Sequence, residues 1–281
     1  MFYLLNILIQ MKIILNNPDL SKTLGPFNDI GFVPTMGSIH EGHISLIKRS
    51  IQSNKKTIVS IFVNPKQFNN VKDFNSYPAN IKKDLAILKR IKKLDFVYIP
   101  KFKDVYENKR KSKIKIEKKY KILCAKYRKG HFEGVLDVMN RLTNLIKPKK
   151  IFMGKKDFQQ LFLVKKFIES KFNTKVIGCK TIRNKNKLAL SSRNFLFNKV
   201  ELKNVEKISK TFLNLKNKIR NSRNINSFLQ KSKKDLEKFF NIKIEYLENR
   251  NTKNLTISNK YRGSKVFLSY YYKNIRLIDN F

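Results

Sequence analysis

Buried apolar segments alternate with helical patterns along the first two thirds of the chain, and this alternation constrains the fold more than any other feature. Continuous apolar runs typical of strands lie at 30–34, 57–64, 95–100, 150–154 and 175–183. Between them, apolar residues recur at three- and four-residue spacing, as in amphipathic helices, over 42–54, 79–93, 132–147 and 157–172. Strands that are apolar on both faces and separated by helices predict an α/β protein whose parallel sheet is covered on both sides.

The pattern changes after about residue 193. Lys-rich amphipathic helices are predicted at 199–221 and 225–240, followed by strand-like runs at 242–248 and 266–272. We interpret this part as a smaller α+β unit. The first ten residues are apolar but lack the basic region and cleavage site of a signal peptide. We therefore expect Met11 to be the true start and residues 1–10 to be an artefactual or extra extension.

Composition excludes several classes of protein. No stretch approaches the ~18–20 apolar residues of a membrane span. The two cysteines, Cys124 and Cys179, lie far apart, which excludes a disulfide scaffold and a CxxC zinc or redox site and favours a reducing cytoplasm.

The charge of the chain is unusual, because 62 Lys and Arg against 20 Asp and Glu give a formal net charge of +42. An excess of this size is typical of proteins that bind nucleic acid. The lysines are dispersed, however, and they accompany many Asn, Ile, Phe and Tyr residues, whose codons are rich in A and T. We therefore favour codon bias as the cause, and we expect no specific nucleic-acid partner and no membrane association.

Two of the three histidines, His40 and His43, lie with Gly37 and Gly42 in the segment 33–43, which reads VPTMGSIHEGH. A buried strand ends here, the chain turns at Gly37, and a helix begins near Gly42, which places His40 and His43 at a helix N-terminus. Free backbone N–H groups and the helix dipole favour phosphate at such a position. The HxGH spacing differs from the HExxH of zinc proteases, from GxGxxG and from the P-loop. It is typical of nucleotidyl transfer.

Further motifs follow in order along the chain. They read SIFVNPKQF at 60–68, RKGHFEGV at 128–135, GKKDFQQ at 154–160, LALSSRN at 188–194 and RLIDN at 276–280. Together with the HxGH segment they resemble the pantoate–β-alanine ligase family, a branch of the HxGH nucleotidylyltransferase superfamily. The resemblance spans roughly residue 12 to the end.

The resemblance implies an enzyme that joins (R)-pantoate to β-alanine with ATP and Mg²⁺, through a pantoyl-adenylate, releasing AMP and pyrophosphate. It implies a cytoplasmic homodimer. It also implies a Rossmann-like parallel-sheet domain at 1–182 that binds ATP and pantoate, followed by a small α+β lid domain at 183–281. It assigns no protein side chain as a metal ligand.

The resemblance also assigns roles to site residues. His43 is expected to donate a proton, His40 to contact the phosphates and Lys156 to neutralise them. The residues expected to contact ATP are Met36, Gly37, Ser38, Ile39, His40, Glu41, Gly42, His43, Gly154, Lys155, Lys156, Asp157, Ile182, Leu190, Ser191, Ser192 and Arg193. Gln67, Gln160 and Asn64 are expected to bind pantoate, and Gln67 also β-alanine. Uncharged amides suit pantoate because they hydrogen-bond its hydroxyls and carboxylate without a salt bridge that would quench the nucleophile.

Three lysines depart from the family pattern. Lys129 replaces the Pro of RPGHF, Lys149 replaces a common Asp, and Lys155 replaces the Glu of GEKD. Each adds positive charge near a polyanion site. We expect this to change the affinity for substrate but not the assignment to the family. Two other interpretations stay open at this point: another HxGH adenylyltransferase, and an RNA-linked nucleotidyl-transfer enzyme, for which a charge of +42 would fit.

Overall fold

The computed structural model of the protein describes residues 11–106, 113–220, 222 and 224–281. The proposed N-terminal extension, residues 1–10, lies outside the described residues. The strands are Lys12–Ile14 (β1), Ile30–Thr35 (β2), Lys56–Ile61 (β3), Phe96–Tyr98 (β4), Lys150–Gly154 (β5), Lys175–Cys179 (β6), Lys243–Asn251 (β7), Ser264–Tyr272 (β8) and Ile275–Asn280 (β9). The α-helices are Asn17–Leu24 (α1), Glu41–Ser53 (α2), Val71–Asn75 (α3), Ile81–Lys89 (α4), Phe102–Val105 (α5), Cys124–Tyr127 (α6), His131–Ile146 (α7), Phe158–Lys171 (α8), Lys199–Ile219 (α9) and Ile225–Phe240 (α10).

The first six strands form one parallel sheet in the order β1-β4-β3-β2-β5-β6. Successive residues of its central strands face opposite sides. Phe32 and Ile58 belong to a core with α1, α7 and α8, whereas Val33 and Val59 belong to a core with α2 and α4. This two-sided burial explains the uninterrupted apolar runs in the sequence, and the predicted α/β class is confirmed.

The strand order positions the candidate site. From β2 the chain continues to β3 and β4 on one side, and it then returns to place β5 and β6 on the other side. The carboxyl ends of β2 and β5 therefore flank the point where the direction of winding reverses. In open α/β sheets, ligands bind in the crevice at this point.

The last three strands form an antiparallel sheet in the order β7-β8-β9. Its strands also alternate between two cores. Leu247 and Leu268 pack in a core with α9 and α10, whereas Tyr246 and Phe267 join the core of the parallel sheet. The small sheet thus lies between its own helices and the first part of the chain.

Several elements differ from the sequence-based expectation. The predicted strand 57–64 ends at Ile61, because Pro65 has no N–H and Asn64 instead caps a short 3-10 turn by accepting the Lys66 N–H. The predicted strand 175–183 ends at Cys179. The short β1, helix α1 and the C-terminal β9 had not been predicted as regular elements. Within the described residues, no helix has the length and apolar character needed to cross a membrane.

Gly134 lies where α7 packs closely against the turn at 65–67. A Cβ atom there would overlap the backbone carbonyl of Lys66, whereas a Cβ at Gly154 would meet nothing within 4 Å. We expect Gly134→Ala to lower the free energy of unfolding by about 1–3 kcal/mol, the usual cost of overpacking. Urea denaturation of both variants measures this, with Gly154→Ala as the matched control. Equal stability of the two variants would contradict the packing argument.

Candidate active site

The turn that follows β2 is held by a buried carboxylate. Asp84 on α4 is 2% exposed, and its carboxylate accepts the N–H groups of Ser38 at 2.8 Å and Ile39 at 2.7 Å. Gly37 has φ +80°, and a Cβ there would lie 2.7 Å from Asp84 Oδ2. Only glycine combines this backbone conformation with the absence of a side chain. Asp84 therefore shapes the turn that leads the chain into His40.

The two motif histidines stack at the start of α2. His40 is the N-cap residue, and its Nδ1 accepts the Gly42 N–H at 3.0 Å. The proton of its neutral ring is therefore on Nε2. The ring centroids of His40 and His43 lie 4.1 Å apart. His43 Nδ1 is buried without a hydrogen-bond partner in the described part of the chain.

Both histidines are neutral at physiological pH. Burial, together with the charge of Lys156, lowers the pKa of His40 to about 4. Burial, with His40 and Lys156 nearby, lowers the pKa of His43 to about 3. Both rings are therefore disfavoured as cations until an anion joins them.

A second segment of the site follows β5. Lys156 Nζ lies 3.3 Å from Asp157 Oδ1. The backbone of this turn is held by Asn280 on β9, whose Nδ2 donates to the carbonyls of Lys155 at 2.8 Å and Lys156 at 2.7 Å. The C-terminal strand therefore positions Lys156 in the turn Lys155–Asp157, called the KKD turn below.

The segment 191–193 lies directly against the HxGH turn. Ser192 Oγ donates to the carbonyl of Ser38 at 3.3 Å and accepts from the Tyr77 hydroxyl at 3.4 Å. The Arg193 guanidinium bonds both carboxylate oxygens of Asp73, at 2.8 and 3.0 Å. These contacts hold the segment 191–193 against residues that follow β2 and β3.

The chain enters this segment through a short hairpin. The Leu190 N–H donates to the Ile182 carbonyl at 2.9 Å. Arg183 bonds Asp279 on β9 with two nearly parallel contacts of 2.6 and 2.7 Å. A bidentate pair of this kind fixes orientation as well as distance.

The amide side chains occupy the neighbouring region. Gln67 is 8% exposed; its Nε2 donates to Met36 Sδ at 2.7 Å, and its Oε1 accepts from Asn64 Nδ2 at 3.3 Å. Asn64 is also engaged by its own turn and by the Tyr106 hydroxyl at 3.0 Å. Gln160 lines the same region. Its amide makes no hydrogen bond to the described residues, so it is available to a ligand.

These segments enclose a cavity of about 310 Å³, a size typical of small-molecule sites. The assigned residues that line it are Met36, His40, Gly42, His43, Asn64, Gln67, Gly154, Lys156, Asp157, Gln160, Ile182, Leu190, Ser191, Ser192 and Arg193. The assigned residues outside its lining are Gly37, Ser38, Ile39, Glu41 and Lys155. The N–H groups of Ser38 and Ile39 are bonded to Asp84, and Glu41 and Lys155 are exposed. The ligand contacts of all these residues remain predictions.

Other residues that build the site were not assigned from the sequence. His131 Nδ1 donates to the Gln67 carbonyl at 2.6 Å, and its Nε2 accepts from Arg128 at 2.9 Å. The motifs RKGHFEGV and RLIDN contain Arg128, His131 and Asn280. These three residues could therefore have been identified from the sequence. Asp84 gave no signal, because it lies in an ordinary helical pattern.

The three unusual lysines leave this architecture intact. Lys129, Lys149 and Lys155 are all exposed. Their charges therefore need no buried partner, and the family's packing does not have to change around them. Their effect on affinity remains a prediction.

Comparisons with known proteins agree with these motifs. The family model described as pantoate-beta-alanine ligase matches residues 13–281. A pantothenate synthetase of Flavobacterium psychrophilum is 37% identical over 93% of this chain and 96% of its own length. The crystal structure of pantothenate synthetase from Thermus thermophilus superposes with a TM-score of 0.87 at 27% identity, covering 96% of this chain and 99% of that one. A pantoate-beta-alanine ligase from Francisella tularensis, complexed with beta-gamma ATP and β-alanine, gives a TM-score of 0.82 at 34% identity, covering 96% and 97%.

The burial of neutral His43 predicts a pH dependence of stability. Its folded pKa of about 3 lies below the unfolded value of 6.5, so the unfolded chain binds the proton first as pH falls. The stabilisation is present above about pH 6.5 and is lost progressively towards pH 3. Between pH 6 and 4 we expect this residue to contribute a loss of about 1.4 kcal/mol per pH unit.

Urea denaturation of the wild type and His43→Asn across this pH range measures the effect. The stability difference between the two proteins should shrink as pH falls. Parallel curves would show that His43 is not held neutral.

Proposed function

The chain belongs to the pantoate–β-alanine ligase family, and we propose that the cavity beneath its two stacked histidines is where it makes pantothenate. The family gives the activity, which is the ATP-dependent joining of pantoate to β-alanine. The observation that carries the site assignment is the meeting of the histidine pair, Lys156 and Arg193 with two uncharged amides in one cavity. The family model matches almost the whole chain. This argues against the two alternatives, another HxGH adenylyltransferase and an RNA-linked enzyme.

In the first half-reaction, a carboxylate oxygen of pantoate attacks the α-phosphorus of ATP. The bond from that phosphorus to the bridging oxygen breaks, and pyrophosphate leaves with the electron pair. Two anions must approach each other, so catalysis consists mostly of charge neutralisation and positioning. We assign this work to Lys156, Arg193 and the donor Nε2–H of His40.

His43 would become a proton donor only with nucleotide present. The triphosphate adds negative charge beside a ring whose pKa is lowered by burial, with His40 and Lys156 nearby. An adjacent anion favours the imidazolium and raises that pKa. ATP binding would therefore charge His43, which can then protonate the leaving oxygen.

Gln67 and Gln160 would hold pantoate. The Gln67 amide is already fixed by Met36 and Asn64, which makes it a preorganised partner, whereas the Gln160 amide is uncommitted. In the second half-reaction, the neutral amine of β-alanine attacks the acyl carbon. The acyl–oxygen bond then breaks, AMP leaves with the electron pair, and the attacking nitrogen loses one proton to solvent.

The carboxylates near the cavity are compatible with a Mg²⁺ ion that is bound mainly by the phosphates of ATP. In the described residues, no three His, Cys, Asp or Glu side chains come together as a metal site. The carboxylates of Asp157 and Asp279 line the cavity, where Asp157 is paired with Lys156 and Asp279 with Arg183. Mg²⁺ commonly uses one or two carboxylates together with substrate phosphates. Asp157 is the nearer candidate for a carboxylate contact, because its partner Lys156 can turn to the phosphates, and the ion would neutralise phosphate charge.

Several further properties of the family are proposed for this chain. They are a cytoplasmic homodimer, a nucleotide domain at 1–182 and a lid at 183–281 whose closure excludes water from the adenylate. The contacts of Ser192 and Arg193 with the first part of the chain support such a lid. No specific nucleic acid is proposed as a partner.

Pantoate-dependent exchange between ATP and pyrophosphate tests the proposed function. Exchange should require pantoate and proceed without β-alanine, and adding β-alanine should produce AMP and pantothenate. Exchange without pantoate, or none under any condition, would refute the assignment.

Replacing His43 should suppress adenylate formation. We expect His43→Ala to slow exchange by ~10²–10⁴, as for removal of a positioned acid, with an unchanged circular dichroism spectrum. The exposed Lys48 on the same helix gives the control variant Lys48→Ala. Exchange within a few-fold of wild type in His43→Ala would refute the assigned role.

Truncating Gln160 should weaken pantoate binding selectively. The expected loss is about 1–3 kcal/mol, because pantoate oxygens lose a hydrogen-bond partner in a desolvated cavity. Titration calorimetry with pantoate and with ATP separates the two affinities, and the exposed Gln52→Ala is the control. Equal weakening of both ligands would point to general damage and contradict the assignment.

A further inference from the structure

Arg128 is a cavity-lining cation without a hydrogen-bonded carboxylate. Arg193 bonds both oxygens of Asp73, and Arg276 bonds Glu245 at 2.7 and 2.9 Å. Arg128 Nη2 lies 4.0 Å from Asp73, which is too far for a hydrogen bond. Within the described ranges, Arg128 alone among these three arginines therefore lacks such a partner.

The surroundings of Arg128 make an anionic ligand favourable. Its side chain is 20% exposed, and a mostly buried charge is costly unless it is paired. The guanidinium cannot relieve this cost by losing its proton at physiological pH. Its planar fork of N–H donors matches a carboxylate.

His131 orients this guanidinium relative to the amide region of the site. Because Nδ1 donates to the Gln67 carbonyl, Nε2 is left as an acceptor, and it binds Arg128 Nη1. Burial and the charge of Arg128 lower the pKa of His131 to about 3, so the ring keeps this neutral form. One imidazole thus links Arg128 to the backbone of Gln67.

We propose that Arg128 binds the carboxylate of β-alanine, an inference that rests on the proposed function. The amine of β-alanine must reach the acyl carbon held beside Gln67, and its carboxylate lies two methylene groups away. A cation that the His131 ring links to the Gln67 backbone can hold that end of the substrate. His131 then acts as a positioning residue for the guanidinium.

A change of substrate preference tests the proposal. The variants are Arg128→Gln, Arg128→Lys and the control Lys129→Gln, which removes the same charge from an exposed neighbour. Each is assayed with β-alanine and with β-alaninamide, which keeps the amine but has no carboxylate. In Arg128→Gln we expect KM for β-alanine to rise on the order of 10- to 100-fold, with little change for β-alaninamide. Arg128→Lys should recover part of the preference, because it retains a point charge.

Pantoate-dependent exchange between ATP and pyrophosphate, run without β-alanine, separates this proposal from the proposed function. Exchange should stay within about two-fold of wild type in Arg128→Gln, and Lys129→Gln should keep the wild-type preference for β-alanine over its amide. Loss of exchange in Arg128→Gln would place the guanidinium on phosphate or pantoate and overturn the proposal. An unchanged preference for β-alanine over its amide would overturn it as well. Absence of exchange in the wild type would instead refute the proposed function.

Discussion

The carboxylate of Asp84 holds the turn on which the rest of the site depends. It is buried, and two backbone N–H groups of the turn after β2 bond it. Those bonds bring the chain through two left-handed residues, Gly37 and Ser38, into the first turn of α2. The positions of the stacked histidines and of the Ser192 contact both follow from where this turn lies. A helix that packs on the sheet thus shapes the candidate site without lining the cavity.

The C-terminal strand β9 connects two segments that line the cavity. Asn280 holds the carbonyls of the turn that carries Lys156, while Asp279 holds Arg183 at the base of the hairpin leading to Ser191–Arg193. The two interactions come from adjacent residues of one strand. The small antiparallel sheet is therefore part of the site. The Asp and Asn of the RLIDN motif hold two of its segments in place.

Charge is organised locally although the chain as a whole is strongly basic. Arg193 and Arg276 are each matched by a carboxylate, and the three histidines are kept neutral by burial. The unusual lysines at 129, 149 and 155 remain in solvent. The net charge of +42 therefore does not predict the electrostatics of the cavity. Those depend on a few charged side chains held in fixed positions.

The sequence by itself determined the fold class, the family and the segments that meet at the site. Apolar runs reported which residues are buried on both faces, and ordered motifs such as HxGH and LALSSRN are local patterns that a sequence displays directly. Only the tertiary structure decided the pairing of groups distant along the chain: Asp84 with the turn at 37–39, His131 with Gln67, and Asn280 with the KKD turn. Such pairs are separated by 46, 64 and more than 100 residues. No local periodicity encodes them, because each depends on where the sheet order and helix packing bring two segments together.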